Sequence, residues 1–427
     1  MIKLQDLGTT RQEAILSNGV RLVFFERPGT PLSLRAHFFS GSRFDPQGKK
    51  GLAHFMEHMI VAGTKRFSTK DKLAAYIEQY GGGFNAFTGS EGLAINVAVA
   101  DPADINILTE VLGEILTKSL FDEKTLETER GSIFKEIGDR NSSPEKRLWE
   151  LYAKLFFQEQ DLGHSPLGTE KSVQSISKTD ILNYYNTKLV SGRAVFVASG
   201  GSNLGTLKQK LELVSVPSGG DLKIGKPLKI TRKENTLVEP YTGKDQVHLM
   251  IGFRTCESFH LDMPALDLIA TILGGGRAST LTRLLRQEKG LVYTVSASSF
   301  GYSDTGAWRV KTSTGRNNVQ EVLDTICTEL NRIYEGKITQ DELQFAKDKT
   351  IKSQRMELQT SGSWVDFHSY RELITPTMHW TVEDLINDIS SVTLEDLSRV
   401  GNKYFTKGSW FLAMCGDIDK DEITVNF

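Results

Sequence analysis

Two histidines and a glutamate in the first half of the chain have the spacing of a metal-binding helix. His54, Glu57 and His58 form the pattern H-x-x-E-H inside residues 51–61, whose composition predicts a helix that ends at Gly63. Because residues four apart lie on one face of a helix, both imidazoles can reach one cation. Glu57 points the same way and can take a proton from a water whose pKa zinc lowers toward about 7. The pattern predicts metal-assisted hydrolysis; the alternative is two histidines that only pack or meet solvent on an amphipathic helix.

A catalytic zinc also needs a third protein ligand and one open position. The predicted helix over 123–140 carries Glu129 and Glu136, which share a face because they are two helical turns apart. One of them can bind the metal while the other orients a histidine, and the spacing does not say which. Imidazole and carboxylate ligands also suit manganese or cobalt, so the native metal stays open.

Turn and cap signals predict the elements that must position these residues. An Asn-Gly pair at 18–19 lies between apolar stretches and predicts a β-hairpin over 14–26. Ser68 or Thr69 can cap a second helix that runs to Tyr80. Further strands are predicted at 32–39, 84–88 and 93–99, and further helices at about 102–118, 123–140 and 144–157.

The two halves of the chain repeat one another at a constant offset of 216 residues. In each half, a capped helix is followed by a turn that contains glycine and then by a buried strand. The strand covers residues 194–200 in the first half and 410–416 in the second. The matched pairs are Asp180 with Asp396, Asn186 with Asn402, Gly192 with Gly408, and Gly200 with Gly416. This register predicts two repeated α+β domains, 1–216 and 237–427, joined by a linker over 217–236 that is rich in lysine, glycine and proline.

Composition excludes several classes of protein. The 427 residues are 39% hydrophobic and 24% charged, as in a globular protein, and the net charge of -2 argues against a nucleic-acid surface or a polybasic membrane patch. No apolar run is long enough to span a membrane, and the first residues have no leader pattern, so a cytoplasmic location is expected. The three cysteines are Cys256, Cys327 and Cys415, and they lie too far apart in the sequence for a disulfide framework. They are expected to be small buried side chains.

Three motifs together resemble the pitrilysin family of inverzincin metallopeptidases over nearly the whole chain. They are G-x-x-H-x-x-E-H from residue 51, Gly-Gly-Gly-Phe-Asn-Ala-Phe-Thr over 81–88, and Glu-Arg-x5-Glu over 129–136. The resemblance makes Glu136 the third zinc ligand and Glu129 the glutamate that orients a histidine. It implies one zinc per chain, since the second half has no H-x-x-E-H. It also implies that a substrate peptide adds as a strand at 84–88, with Asn85 and Ala86 in contact with it.

The second half contains a further match to that family, in the segment Leu-Arg-Gln-Glu-Lys-Gly-Leu-Val-Tyr. The resemblance implies that Arg286 and Tyr293 bind substrate and stabilise the tetrahedral intermediate, as donors to a peptide carbonyl and to an oxyanion. Taken alone, the two residues would be a surface helix charge and a core strand residue. The chain departs from the family at Gly92 and Ala94, where a threonine and a tyrosine are common. That departure puts the shape of the substrate floor in doubt.

The resemblance also predicts an architecture. Each repeated domain is expected to be a mainly antiparallel sheet packed with helices, and the half-length chain is expected to form half of a clamshell. A homodimer is expected, in which Arg286 and Tyr293 serve the zinc of the other subunit; a heterodimer with an inactive paralogue is the alternative. The predicted function is a zinc endopeptidase acting on peptides or unfolded segments in a closed chamber. The alternatives are a non-catalytic subunit of a heterodimeric peptidase, and a peptide-binding or metal-storage protein.

Overall fold

The computed structural model describes residues 9–158, 160–225, 234–241, 245–378 and 381–427, and its elements follow the predicted pattern closely. The strands are β1 Thr10–Ile15, β2 Arg21–Glu26, β3 Leu32–Phe38, β4 Gly83–Thr88, β5 Leu93–Val99, β6 Ala194–Gly200, β7 Thr236–Pro240, β8 Gln246–Thr255, β9 Val292–Gly301, β10 Gly306–Gly315 and β11 Trp410–Gly416. The helices are α1 Leu52–Ala62, α2 Lys70–Glu78, α3 Ile105–Lys118, α4 Glu123–Asn141, α5 Pro144–Phe157, α6 Glu170–Gln174, α7 Lys178–Lys188, α8 Leu204–Leu211, α9 Met263–Gly274, α10 Val319–Tyr334, α11 Gln340–Glu357, α12 Ser361–Ile374, α13 Val382–Ser391 and α14 Leu394–Tyr404.

Two compact units divide the chain, and neither is continuous in sequence. Unit 1 comprises the described residues of Met1–Gly138 with Ser165–Lys223 and Arg355–Glu383. Unit 2 comprises those of Asp139–His164, Ile224–Gln354 and Asp384–Phe427.

The predicted domains 1–216 and 237–427 therefore differ from these units by two helices. Helix α5 belongs to unit 2, where Tyr152 and Phe156 pack in one apolar cluster with Phe411. Helix α12 belongs to unit 1, where His368 stacks on Phe25 with ring centroids 4.0 Å apart. In the predicted linker 217–236, residues 217–225 form neither helix nor strand, residues 226–233 lie outside the described residues, and β7 begins at Thr236.

Unit 1 is built on a six-stranded sheet with the order β1-β2-β6-β3-β5-β4. Neighbouring strands run antiparallel except for the parallel pair β2 and β6. The predicted hairpin is present, since β1 pairs with β2 across a turn in which Gly19 has a φ of 87°. The Asn18 side chain accepts a hydrogen bond from the backbone N–H of Val20 at 3.0 Å and stabilises that turn.

Unit 2 repeats this design, and its described residues contain no counterpart of β1. Its sheet has the order β7-β11-β8-β10-β9, which corresponds strand for strand to β2-β6-β3-β5-β4, and the pair β7 and β11 is parallel. Buried side chains such as Phe253, Trp308 and Phe405 form its core. The predicted α+β class, with two mainly antiparallel sheets packed with helices, is confirmed.

Two further features of the fold concern the cysteines and the helices. Cys256, Cys327 and Cys415 are all buried and free, as expected. None of the described helices is long and apolar enough to cross a lipid bilayer.

Candidate metal centre

Helix α1, which carries the H-x-x-E-H motif, is capped at its start by a side chain from the preceding loop. The Asp45 carboxylate accepts hydrogen bonds of 2.8 Å from the backbone N–H groups of Gly51 and Ala53. These N–H groups have no partner inside the helix, so the carboxylate fixes the position at which α1 begins. Burial raises the pKa of Asp45 to about 7, although the hydrogen bonds from Ala53 and Gly51 act to lower it.

The three predicted metal ligands converge between α1 and α4. The Nε2 atom of His54 lies 3.5 Å from Oε2 of Glu136, and the Nε2 atom of His58 lies 3.5 Å from Oε1 of the same carboxylate. One ligand atom from each residue falls within 4.8 Å of the others. Tetrahedral ligands at zinc bond lengths of about 2.0–2.1 Å stand roughly 3.4 Å apart. The donor types and their separations therefore fit a zinc ion.

The other predicted glutamate of α4, Glu129, contacts one of the two imidazoles. The Nδ1 atom of His58 is 2.9 Å from Oε2 of Glu129, so the ring presents Nε2 toward Glu136. Burial acts to lower the pKa of His58, but the hydrogen bond that its ring donates to Glu129 and the charge of Glu136 outweigh burial and raise the pKa. Burial, together with the charge of His58, lowers the pKa of His54 to about 3, which leaves that ring neutral and able to donate a lone pair.

Glu57 lies beside the ligands and is held by the end of the edge strand. Burial raises the pKa of Glu57, and a hydrogen bond with the Thr88 side chain acts to lower it. The Thr88 hydroxyl is also 3.4 Å from the carbonyl oxygen of Ala53, so it connects β4 to the first turn of α1. A carboxylate with a raised pKa, close to the metal ligands, has the properties of a general base.

Strand β4 is an edge strand of the sheet of unit 1, and it pairs with β5 along one side. Its sequence matches the segment predicted to receive a substrate strand. Asn85 is exposed and Ala86 is partly buried. Their contact with substrate stays a prediction.

The two residues predicted to bind substrate from the second half lie together in unit 2. Arg286 lies in a π-helical segment, Thr282–Glu288, and Tyr293 is the second residue of β9, the edge strand of that sheet. The guanidinium carbon is 5.1 Å from the centroid of the phenol ring. Tyr293 is 75% exposed, so it is not a core strand residue.

The family of the chain follows from comparison with known proteins. Residues 32–170 match the family model described as "Insulinase (Peptidase family M16)", and residues 175–350 match the model "Peptidase M16 inactive domain". The chain belongs to peptidase family M16. The resemblance to a half-length member of this family of zinc peptidases is thereby confirmed.

Relatives of this M16 chain match it over nearly its whole length. An uncharacterized zinc protease of Bacillus subtilis strain 168, YmxG, is 28% identical over 91% of the chain and 94% of its own length. The beta subunit of the mitochondrial-processing peptidase of Mus musculus is 26% identical over 96% of the chain and 85% of its own length. The crystal structure of a protease from Helicobacter pylori has a TM-score of 0.87 at 20% identity, covering 96% of this chain and 99% of that one, and it supports the fold.

The departure at Gly92 has a structural reason in this M16 chain. A Cβ atom at Gly92 would lie 2.2 Å from Nε2 of His37, so the buried imidazole occupies the space that a threonine would need. Burial, with the nearby charge of Arg35, lowers the pKa of His37 to about 3 and keeps that ring neutral. Ala94 is the register partner of His37 on β5. Gly92 and Ala94 thus both lie next to His37.

Two buried acidic residues of unit 1, one of which caps α1, were not identified from the sequence. Asp45 caps α1 from a loop, and no capping pattern identifies it because it lies outside the first turn. Glu91, in the turn after β4, is buried and binds the side chains of Arg43 and Tyr370. A lone glutamate in a glycine-rich turn has no sequence signal that predicts burial.

Proposed function

We propose that this M16 chain is a zinc endopeptidase of the inverzincin type, with one zinc per chain held by His54, His58 and Glu136. The observation that carries the proposal is the convergence of these three side chains, with the His58 ring oriented by Glu129. Zinc bound there supplies a Lewis acid that polarises a carbonyl and makes water acidic near neutral pH.

In this proposal the side chains of the site move a proton. Glu57 takes the proton from the attacking water and later delivers it to the leaving amine of the peptide. The Thr88 hydroxyl holds the Glu57 carboxylate, while burial keeps its pKa raised and therefore suited to both steps. Glu129 keeps the His58 ring in the tautomer that leaves Nε2 free.

The substrate in this proposal is a peptide or an unfolded segment. The open side of β4 offers main-chain hydrogen bonds to an added strand, with Asn85 and Ala86 along it. Arg286 and Tyr293 donate hydrogen bonds to a substrate carbonyl and to the oxyanion of the tetrahedral intermediate.

Metal analysis combined with a base substitution tests the chemistry. We expect about one zinc per chain, and we expect cleavage of a mixed peptide library to stop with a chelator and return with zinc. Glu57→Gln should retain the metal and lower kcat by roughly 10²–10⁴-fold. Glu78→Gln, an exposed change in the same unit, is the matched control. A protein without zinc, or a Glu57→Gln variant with unchanged cleavage, would support the non-catalytic alternatives.

We further propose that two copies of the chain pair around a closed chamber, so that Arg286 and Tyr293 serve the site of the partner. The alternative, a heterodimer, is supported by the name of the mouse relative, a beta subunit. Mixing Arg286→Ala with Glu57→Gln protein should restore about a quarter of the sites, because half of the chains pair as mixed dimers with one intact site each. If activity fails to return although subunit exchange is confirmed, sites shared between copies of this chain are ruled out.

A further inference from the structure

In unit 2, a guanidinium on strand β10 is held between two aromatic rings and lacks an acidic partner. The guanidinium carbon of Arg309 is 4.2 Å from the ring centroid of Trp149 and 4.1 Å from that of Phe300. Arg309 forms neither a hydrogen bond nor an ion pair with any other described residue. Ring faces attract the cation, and the guanidinium, which is only partly buried, keeps N–H donors that a ligand can reach.

Two further side chains on this side of the sheet each have a buried polar atom without a partner among the described residues. Tyr152 of α5 is 2% exposed, and its hydroxyl finds no hydrogen-bond partner within the described part of the chain. The hydroxyl lies over Gly252, where a Cβ atom would be 2.7 Å away, and Gly252 is the register partner of Arg309. One nitrogen of Arg254, Nη1, is buried without a partner, and its Nη2 reaches only Gln160 Oε1 at 3.5 Å.

Among the described residues, no acidic side chain forms an ion pair with Arg309 or Arg254. Glu145 of α5 binds Lys311 at 2.5 Å, and Glu150 binds Arg147 and Arg140. Asp304 attracts Arg254 through its charge, although the two form no ion pair. Burial still lowers the pKa of Arg254 to about 10, and burial raises the pKa of the Tyr152 phenol.

The corresponding place in unit 1 shows how such a guanidinium is normally satisfied. Arg35 of β3 also faces the helix on that side of its sheet, in this case α12. It forms an ion pair with Asp366, and it donates hydrogen bonds to Ser369 at 2.9 Å and to Asn96 at 2.5 Å. The protein itself supplies acceptors for Arg35, whereas Arg309 and Arg254 keep donors that an incoming anion can use.

We propose that Arg309, Arg254 and the Tyr152 hydroxyl form a binding site for a carboxylate of a peptide, flanked by Trp149 and Phe300. A carboxylate has the acceptor sites to take hydrogen bonds from several donors at once, and it would neutralise the positive charge of two partly buried arginines. Trp149 is 40% exposed, so the site is open to solvent beside that ring. The inference rests on the proposed function only in taking the ligand to be a peptide. The carboxylate comes either from an aspartate or glutamate side chain or from the C-terminus.

Binding of three forms of one peptide to the full-length Glu57→Gln protein tests the proposal by calorimetry. The first form has a free C-terminal carboxylate and no acidic side chain, the second has a C-terminal amide and one internal glutamate, and the third has the amide and glutamine. We expect the first or the second form to bind about tenfold more tightly than the third, because charge-assisted hydrogen bonds are the strong ones. Equal affinity for all three would overturn the proposal.

Substitutions then assign the preference to this site. Arg309→Met should abolish the tenfold preference, whereas Arg316→Met, at an exposed arginine of the same unit, should retain it. Tyr152→Phe removes a single oxygen from a group that has no partner, so it should fold normally and reduce the preference several-fold. If Arg309→Met does not fold, the affinities measured with Tyr152→Phe decide whether the carboxylate binds at this site. A preference that survives in Tyr152→Phe and in any folded Arg309→Met protein would place the carboxylate elsewhere. Zinc content and cleavage do not enter these binding constants, so the proposed function and this inference fail separately.

Discussion

The two units share the order of five strands, yet within the described residues the candidate metal-binding cluster of histidine and glutamate occurs in unit 1 alone. In unit 2, helix α9 takes the place of α1 and contains neither histidine nor glutamate. At the constant offset of 216 residues, α11 has Phe345 and Lys352 where α4 has Glu129 and Glu136. The fold therefore does not depend on the metal ligands. The chemistry is added to a common scaffold through side chains on two helices.

Helix α12 packs on the sheet of unit 1 and helix α5 on the sheet of unit 2, and the two helices bring different side chains to the arginines there. In unit 1, Glu372 of α12 is 4% exposed and binds Arg11 at 3.0 Å and Arg21 at 2.6 Å. The buried charge of Glu372 is thus matched by two arginines of the same unit. In unit 2, α5 brings aromatic rings to the sheet and leaves Arg309 without a carboxylate. One unit supplies the candidate metal chemistry, and the other leaves donors for a ligand.

The largest effect is expected when a predicted metal ligand of unit 1 is replaced, with the residue at the same repeat position in unit 2 as the control. Glu136→Ala should abolish stoichiometric zinc binding and lower cleavage to the background, because two imidazoles alone leave a zinc site short of one protein ligand. Lys352→Ala, the same position in the repeat, should leave the zinc content at about one per chain. Elemental analysis of the dialysed proteins gives the answer. Zinc retained by Glu136→Ala, or lost from Lys352→Ala, would contradict the division of roles.

A smaller effect is expected from the glutamate that orients His58. Glu129→Gln keeps the shape of the side chain but removes the charge, and it should weaken zinc affinity by about 10–100-fold. Competition with a chelator of known affinity measures the change. Glu123→Gln, at an exposed residue of the same helix, is the control and should bind zinc normally. An unchanged affinity in Glu129→Gln would mean that the 2.9 Å contact with His58 does not position that ligand.

The chemistry-bearing part of unit 1 was predictable because its geometry is local. His54, Glu57 and His58 lie on one helix, and the period of a helix places them on one face. The assignment between Glu129 and Glu136 needed the family resemblance, because seven residues of spacing put both carboxylates on the same face of α4. The structure distinguishes them, since Glu136 contacts both imidazoles and Glu129 contacts only one of them.

The division into units could not be predicted, because tertiary packing decides it. The boundaries of α5 follow from its sequence, with Pro144 in the first turn and a Ser143 cap. Which sheet this helix covers depends on the apolar cluster that it joins, and chain order carries no information about that choice. The Asp45 cap escaped prediction for the same reason, since its contact with α1 depends on the path of a loop.

The smallest effect is expected at Thr88, the last residue of β4, which links that edge strand to Glu57, the proposed base. Glu57 acts in its ionised form, so activity rises with pH through the pKa of that carboxyl. The hydrogen bond from Thr88 lowers this pKa, and Thr88→Val should therefore raise it and move the acid limb of the kcat/KM profile to higher pH.

On that limb, a shift of about one pH unit means a tenfold loss of activity, and the loss should vanish well above the raised pKa. Thr88→Ser keeps the hydroxyl and should keep the wild-type profile. A uniform loss at every pH in Thr88→Val would show instead that the threonine only packs β4 against α1. The pKa of Glu57 would then be set by burial and by the neighbouring charges alone.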